Sequence, residues 1–384
     1  MIKILKKLNY KRKQNKEKAF MDTIMSFVDF EPIVNITPSK IERITFVIPG
    51  MPAYSGGHTS ILRLGTQLHN MGYEINYISF MQQEKEEMIS NAKINLKGYK
   101  GNILSNGDLD KVESDVVVAT SWDSTFFAKK MVGYKVYFIQ DYEPYFHLYG
   151  ELFLFAKKTY ELGFHMISLG RWNKHMIEKN CEYKGEIDII DFPYEKEEYP
   201  NVKRNYETYK NKNTFKLAVY IKNTGKRAPY ITQNILQNVK SEFAKDNINL
   251  QINYYGEGKD FKCTAGENLG KLNKQQLFDL YKESDFGICA SLTNISLVPY
   301  EMLATGLPLI EFEEGTYKYF LPENSAILTS FNWRDLYEEM KKSINNPDKI
   351  LSRMDNAYSA LEQLSWNNSA KQFSSILEGV REFK

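Results

Sequence analysis

The chain has 384 residues, 42% hydrophobic and 26% charged, an ordinary globular balance with room for two domains. That balance excludes a mainly disordered chain, and no apolar run approaches the roughly 20 residues of a membrane span. Net charge is only +2, but residues 1–18 hold eight basic residues and one acidic, so that segment carries +7 and the remainder −5. A body without positive excess is not a whole-surface nucleic-acid binder. The basic start lacks the apolar core of a signal peptide. Three scattered cysteines without a CxxC pair fit a reducing compartment, and the five histidines show no metal-ligand spacing.

In chain order, residues 1–40 read as a basic arm and lead-in. Residues 44–48 are a short β-branched run, predicted as a buried strand. The loop at 49–58 then opens a helix. Its Ile61, Leu64, Leu68 and Met71 share one face, and Gly72 ends it. The next strand, at 74–80, completes a βαβ unit, which favours parallel pairing. Strands at 115–119, 136–139, 164–169 and 187–190 alternate with helices predicted over 123–132, 151–162 and 171–179. Residues 196–213 are rich in Lys, Glu, Asn and Tyr without a period, and are expected to link two domains. A second series follows, with strands at 216–221, 250–255, 286–290, 307–312 and 326–328. Its helices fall at 230–245, 274–283, 299–305 and 333–345, and helices near 349–364 and 368–380 close the chain.

The expected fold class is therefore α/β, two Rossmann-like doubly wound domains (41–195 and 214–364) facing a cleft. Residues 365–384 are expected to form a helix that packs back on the first domain. Ligands of such folds lie outside the carboxyl ends of the strands, so the loops there are the places to seek chemistry.

Gly56-Gly57-His58 follows the first strand. Paired glycines can bring backbone amides close to a ligand, or they can simply supply positive φ to a tight turn. The spacing is not a dinucleotide GxGxxG. Lys222, Lys226 and Arg227 flank a loop after the first strand of the second domain. Two fixed cations there could clamp a pyrophosphate, although a solvated basic loop is the commoner fate of such residues. Residues 291–308 follow another strand. Pro299 suits a first helical turn, Glu301 beside it could accept from ribose hydroxyls or complement the helix dipole, and the amides before it could meet phosphate. Asp141, Tyr142 and Glu143, with Trp122 and Asp123 nearby, could present carboxylates and rings to sugar hydroxyls, or form a turn with packing aromatics. Asp108-Leu109-Asp110 would invite a metal-dependent reading, but it precedes a strand and is taken as incidental.

Gly56-Gly57, the Lys222/Arg227 pair and the block from Asp285 to Pro308 together resemble a GT-B glycosyltransferase of the retaining family 4-like group, in order and spacing over residues 41–380. The run 140–146, Gln-Asp-Tyr-Glu-Pro-Tyr-Phe, is similar to a bacterial subgroup containing rhamnosyltransferases of cell-surface glycans. The resemblance implies a nucleotide-sugar donor, dTDP- or UDP-linked, in the second domain and a glycan or lipid-linked glycan acceptor in the first. It implies no metal and no cofactor beyond the donor. Lys222 and Arg227 would neutralise the diphosphate, with Lys226 beside them; Glu301 would hold the ribose; Ser296, Leu297 and Val298 would contact phosphate or base; Gly56 and Gly57 would lie against diphosphate and sugar. His58, Trp122, Asp141, Tyr142 and Glu143 would face the acceptor, with Asp141 the carboxylate to test first. One departure stands out: many members carry Glu eight positions before Glu301, where this chain has Thr293.

A cytoplasmic enzyme is implied, peripheral on the inner membrane face if residues 1–18 dock on anionic lipid; a solvated tail is the alternative. Two other functions remain open at this stage. One is a catalytically weak GT-B subunit that binds glycan or stabilises a partner glycosyltransferase, and the other is a nucleotide-sugar epimerase.

Overall fold

The structure is a computed structural model that describes the backbone of residues 2–194 and 199–382, and side chains over 14–194 and 199–380. Helix α1 (Ile2–Met25) precedes a first domain made of β1 (Arg43–Ile48), α2 (Gly56–Asn70), β2 (Glu74–Ser79), α3 (Lys85–Asn95), β3 (Asn102–Leu104), β4 (Val116–Ala119), α4 (Ser124–Ala128), β5 (Tyr134–Ile139), α5 (Glu151–Lys158), β6 (His165–Leu169), α6 (Arg171–Asn180) and β7 (Ile187–Ile190). The second contains β8 (Thr214–Tyr220), α7 (Pro229–Lys245), β9 (Asn249–Tyr255), β10 (Glu267–Asn268), α8 (Lys274–Glu283), β11 (Phe286–Ile288), α9 (Leu297–Ala304), β12 (Leu309–Phe312), β13 (Ile327–Thr329), α10 (Trp333–Asn345) and α11 (Pro347–Leu361). Helix α12 (Trp366–Glu382) ends the described chain.

Both sheets are parallel, ordered β3-β2-β1-β4-β5-β6-β7 and β10-β9-β8-β11-β12-β13. Parallel sheets covered on both faces need strands that are apolar throughout, which is why β5 (YKVYFI) is buried at every position. Strand order reverses between β1 and β4 in the first sheet and between β8 and β11 in the second. Those switch points open a crevice at the carboxyl end of each sheet.

Apolar cores cover both faces of the first sheet. One includes Ile44, Phe46, Leu64 and Leu68, and is completed by Trp366, Ala370, Phe373 and Leu377 of α12. Helix α12 thus leaves the second domain and lies on α2 and β7. Tyr73 Oη meets Ser374 Oγ at 2.7 Å, and Gln372 Nε2 donates to Asp191 at 2.7 Å. The opposite core takes in Ile24 of α1 and, behind it, Phe27, Phe30 and Ile33. Asn35 continues that cover by imitating a strand: its side chain donates to the Lys135 carbonyl at 2.7 Å and accepts from the Lys135 amide at 2.8 Å.

Some elements differ from expectation. Helix α4 stops at Ala128 rather than near 132, and α5 gives way to a 3-10 turn, Thr159–Glu161. Helices α1 and α3 and the short β3 and β10 carried no clear sequence period; α3 buries only Met88 and Ala92. The expected linker at 196–213 lies partly outside the described residues, and its remainder belongs to the second domain. Tyr199, Tyr206 and Tyr209 are buried in that core. Their hydroxyls made the stretch read as polar, yet Tyr206 donates to the Gly306 carbonyl at 2.7 Å and Tyr209 to the Asp285 carbonyl at 2.9 Å. Arg204 donates to the carbonyls of Tyr281 and Ser284 at the end of α8.

Candidate functional site

A cavity of about 650 Å³ lies between the domains, walled by the loops after β1, β4 and β5 on one side and after β8 and β11 on the other. β1, β4, β8 and β11 flank the two switch points and β5 lies next to β4, so the fold itself sets the position.

On the first domain's side, Ser55 caps α2 and the helix opens on Gly56 and Gly57. Neither has positive φ; Gly50 (φ 122°) and Tyr54 (φ 57°) make the turn. The glycines instead leave bare helix N-terminal backbone at the cavity. After β4, Trp122 and Asp123 line the wall. Asp123 accepts from Ser121 Oγ at 2.5 Å and the Ser124 amide at 3.0 Å, and burial raises its pKa. Glu143, after β5, accepts from the Trp122 amide at 2.5 Å. Burial, reinforced by the nearby Asp123 and Asp141, lifts its carboxyl well above the ordinary range.

On the opposite wall, Lys222 is half-buried at the cavity, and a 3-10 turn, Gly225–Arg227, brings in the other two cations. Ala228, left-handed at φ 43°, redirects the chain into α7. Arg227 is buried; its Nη1 donates to the Ala290 carbonyl at 3.2 Å and Ser291 Oγ at 3.4 Å. Beneath it, the buried Glu311 accepts from Ser291 Oγ at 2.6 Å and the Ser291 amide at 3.1 Å. Burial pushes Glu311 up to about 7, against the pull of the Ser291 hydroxyl and Arg227. Helix α9 starts after Ser296 with no acidic residue in its first turn, and Ser296, Leu297 and Val298 line the cavity.

Asp141 joins the walls. Its Oδ1 accepts from its neighbour Tyr142 N at 2.9 Å and, across the cleft, Asn294 N at 3.2 Å. Its Oδ2 accepts from Lys226 Nζ and Thr293 Oγ1, each at 3.1 Å. Asn294 Nδ2 adds bonds to the carbonyls of Gln140 and, at 3.3 Å, Leu169. Lys226 Nζ also lies 4.5 Å from the Phe146 ring centroid.

Gly56, Gly57, Trp122, Asp141, Glu143, Lys222, Lys226, Arg227, Ser296, Leu297 and Val298 therefore share one cavity. Three residues expected there do not line it. His58 turns its Nδ1 to Ser55 Oγ at 2.8 Å within the α2 cap. Tyr142 is buried, stacked on Tyr160 with centroids 5.7 Å apart, its hydroxyl 3.7 Å from Cys181 Sγ. Glu301 accepts from Tyr281 Oη at 3.2 Å, behind α9. Asp141 is also not the free acceptor-side carboxylate that its sequence position implied, because both oxygens are occupied by donors. Sequence reasoning gave no site role to Asn294, Gln140, Ser121 or Tyr220; their only signal was adjacency to strand ends. Asp108 caps its own turn by accepting from Ser105. Away from the cavity, one group of potential metal-ligand atoms occurs among the described residues: His165, Glu186 and Asp188, within 4.8 Å of one another. There His165 Nε2 lies 2.8 Å from Asp188 and Nδ1 3.0 Å from Tyr134 Oη.

No family model matches the chain. Over 283 residues it is 22% identical to O-antigen biosynthesis protein RfbC of Myxococcus xanthus, a match covering 66% of this chain and 20% of that protein. The matched stretch thus spans about a fifth of that relative. Among solved structures, sucrose-phosphate synthase of Thermosynechococcus elongatus superposes with a TM-score of 0.65 at 11% identity, covering 89% of this chain and all (100%) of that one. HepE of Anabaena, in complex with UDP and glucose, gives 0.66 at 11% identity over 88% of this chain and 100% of its own. A variant of S. aureus TarM in complex with fondaparinux, α-GlcNAc-glycerol and UDP gives 0.67 at 9% identity, again over 88% and 100%. The chain has the GT-B fold of these proteins: two parallel-stranded α/β domains facing a cleft.

Proposed function

We propose that this chain is a retaining glycosyltransferase that moves a sugar from a nucleoside-diphosphate donor to a growing cell-surface glycan. The observation that carries the reading is the cavity's polarity. Lys222, Lys226, Arg227 and the start of α9 form one wall, and Asp123, Asp141 and Glu143 with the start of α2 form the other. A dianionic diphosphate suits the first, and sugar hydroxyls suit the second. The O-antigen name of the Myxococcus xanthus relative and the UDP held by HepE and TarM support the same substrate classes.

In this mechanism the bond between the anomeric carbon and the diphosphate oxygen breaks, and the acceptor oxygen bonds to the same face of that carbon. The acceptor proton passes to the departing phosphate oxygen. Lys222, Arg227 and the α9 amides stabilise the charge that builds on the diphosphate, and closure of the domains on the donor would exclude water. Arg227 is held for this by Ala290 and Ser291, with Glu311 beneath. Thr293, where many members of the family 4-like group carry Glu, gives its hydroxyl to Asp141 and offers the transferred sugar no carboxylate. That suits a deoxy sugar such as rhamnose. The donor requires no resident metal. The acceptor would be a glycan, lipid-linked or free, and α1, with the +7 of residues 1–18, would hold the enzyme on the anionic cytoplasmic membrane face. No helix among the described residues is long and apolar enough to cross a membrane.

A thermal-shift panel of UDP, dTDP and GDP, followed by product analysis with the matching rhamnosyl and glucosyl donors, tests the reading. It expects stabilisation by one diphosphate and a new glycosidic bond of unchanged anomeric configuration. Binding without transfer across an acceptor panel would favour a glycan-binding subunit, and isomerised donor an epimerase.

A further inference from the structure

The first domain carries an aromatic shelf that begins at the cavity edge. Four of the five residues 145–149 are large, apolar and outward-facing: Tyr145 is 48% exposed, Phe146 51%, Leu148 94% and Tyr149 83%. Solvating that much apolar surface in one short stretch is costly unless a ligand uses it. The shelf is fixed from below. Tyr149 packs on Phe153 (centroids 5.1 Å apart), and Tyr145 meets the buried Tyr142 edge-on at 5.1 Å. Its inner end, Phe146, lines the cavity itself. The shelf therefore adjoins the cavity through Phe146.

We propose that this shelf binds the sugar rings of the acceptor chain next to its growing end, as a neutral-oligosaccharide subsite. The proposal rests on the glycosyltransferase reading of the adjoining cavity. Sugar rings present C–H faces that lie flat on aromatic rings, while Tyr hydroxyls can bond to sugar hydroxyls at the same time. Position distinguishes this occupant from a lipid surface, because the shelf adjoins the cavity through Phe146. Cations do stand near it: Lys226 Nζ lies 4.5 Å from the Phe146 ring centroid, and Lys157 and Lys158 end α5, so the vesicle arm of the test separates the two occupants.

The test is isothermal titration of the full chain with tetrasaccharides built on rhamnose, glucose, galactose and N-acetylglucosamine, beside UDP, dTDP and GDP, and flotation with vesicles containing phosphatidylglycerol. One tetrasaccharide should bind, and Tyr149→Ala should weaken it by about fivefold, the scale of one lost aromatic contact. The matching monosaccharide and the nucleotide should bind both proteins alike. Leu148→Ser, at a nearly fully exposed position, is a second variant whose fold is not at risk and should act in the same direction. No tetrasaccharide binding by the wild type, or equal affinity in both variants, overturns the subsite. Vesicle binding lost in the variants while sugar binding persists overturns it in favour of a lipid surface. Tetrasaccharide binding that depends on Tyr149, without nucleotide binding or transfer, would keep the subsite and reject the transferase reading.

Discussion

Asp141 Oδ2 and Lys226 Nζ meet at 3.1 Å across the interdomain cleft, a carboxylate of the first domain holding a cation of the second. Both side chains are largely buried, 10% and 30% exposed, so the pair is less screened than a surface ion pair. A donor diphosphate would compete with Asp141 for Lys226. Asp141→Asn removes the competing charge, and UDP or dTDP, whichever the wild type binds, should then bind about threefold to tenfold more tightly. Transfer should fall, because the bonds from Thr293 and Asn294 that fix the closed cleft weaken. Calorimetry read together with turnover decides this; unchanged nucleotide affinity would show that the pair does not gate the donor.

Lys222 is the cation best suited to separate binding from folding, because it is only half-buried and Arg227 sits over Glu311. Lys222→Met should weaken diphosphate binding by about 10-fold to 100-fold, the scale of a charge-assisted contact, with little change in urea midpoint. The double variant with Arg227→Met should abolish transfer. Transfer that survives in the folded double variant refutes the leaving-group role of both.

Glu311 gives stability a pH signature. The folded chain keeps this proton up to about 7, whereas the unfolded chain releases it near 4.5. Between those values the folded state binds more protons, so this group's contribution is full below 4.5, declines as pH rises and is lost above about 7. The slope approaches about 1.4 kcal/mol per pH unit for one proton. Urea unfolding across that window should be steeper in pH for the wild type than for Glu311→Gln, and identical slopes would exclude a buried titration here.

Phe373 of α12 is fully buried in the first domain's core and meets Phe138 edge-on at 6.3 Å. Phe373→Ala should cost about 3–5 kcal/mol of unfolding free energy. A loss below about 1 kcal/mol would mean that α12 is an accessory rather than part of that core.

Deleting residues 1–18 removes +7 of charge. Flotation with phosphatidylglycerol vesicles should fall by about tenfold or more at low salt, at roughly 1 kcal/mol per lost cation near the surface. Nucleotide affinity should not move. Unchanged flotation would retire membrane docking by this helix.

The architecture was legible wherever burial on both faces forced continuous apolar runs, as in Val116–Ala119 and Ile187–Ile190, and wherever a glycine ended a helix, as at Gly72. The site's loops were legible because strand ends locate them. Side-chain direction within those loops was not. His58 and Tyr142 each stand one position from a cavity-lining residue, and one residue's rotation turns them to Ser55 and Tyr160. The occupation of Asp141 was hidden for another reason. Its partners Lys226, Thr293 and Asn294 lie 85 to 153 residues away, and no local pattern records a bond across two domains. Tyr206 and Tyr209 misled through composition, since their hydroxyls are satisfied by carbonyls distant in sequence.

The return of α12 also sets an order of events during synthesis. Tyr73 waits for Ser374, 301 residues later, and the core that α2 and α3 build on one face of the first sheet is not closed until Phe373 and Leu377 have been added. The second domain from Tyr199 to Leu361 is contiguous and can close its core as it emerges, whereas the first must leave part of its core open until α12 has been made. Of these two domains the one made earlier is thus completed later, and a chain cut short before Trp366 would carry a finished second domain beside a first domain whose core lacks its α12 side chains.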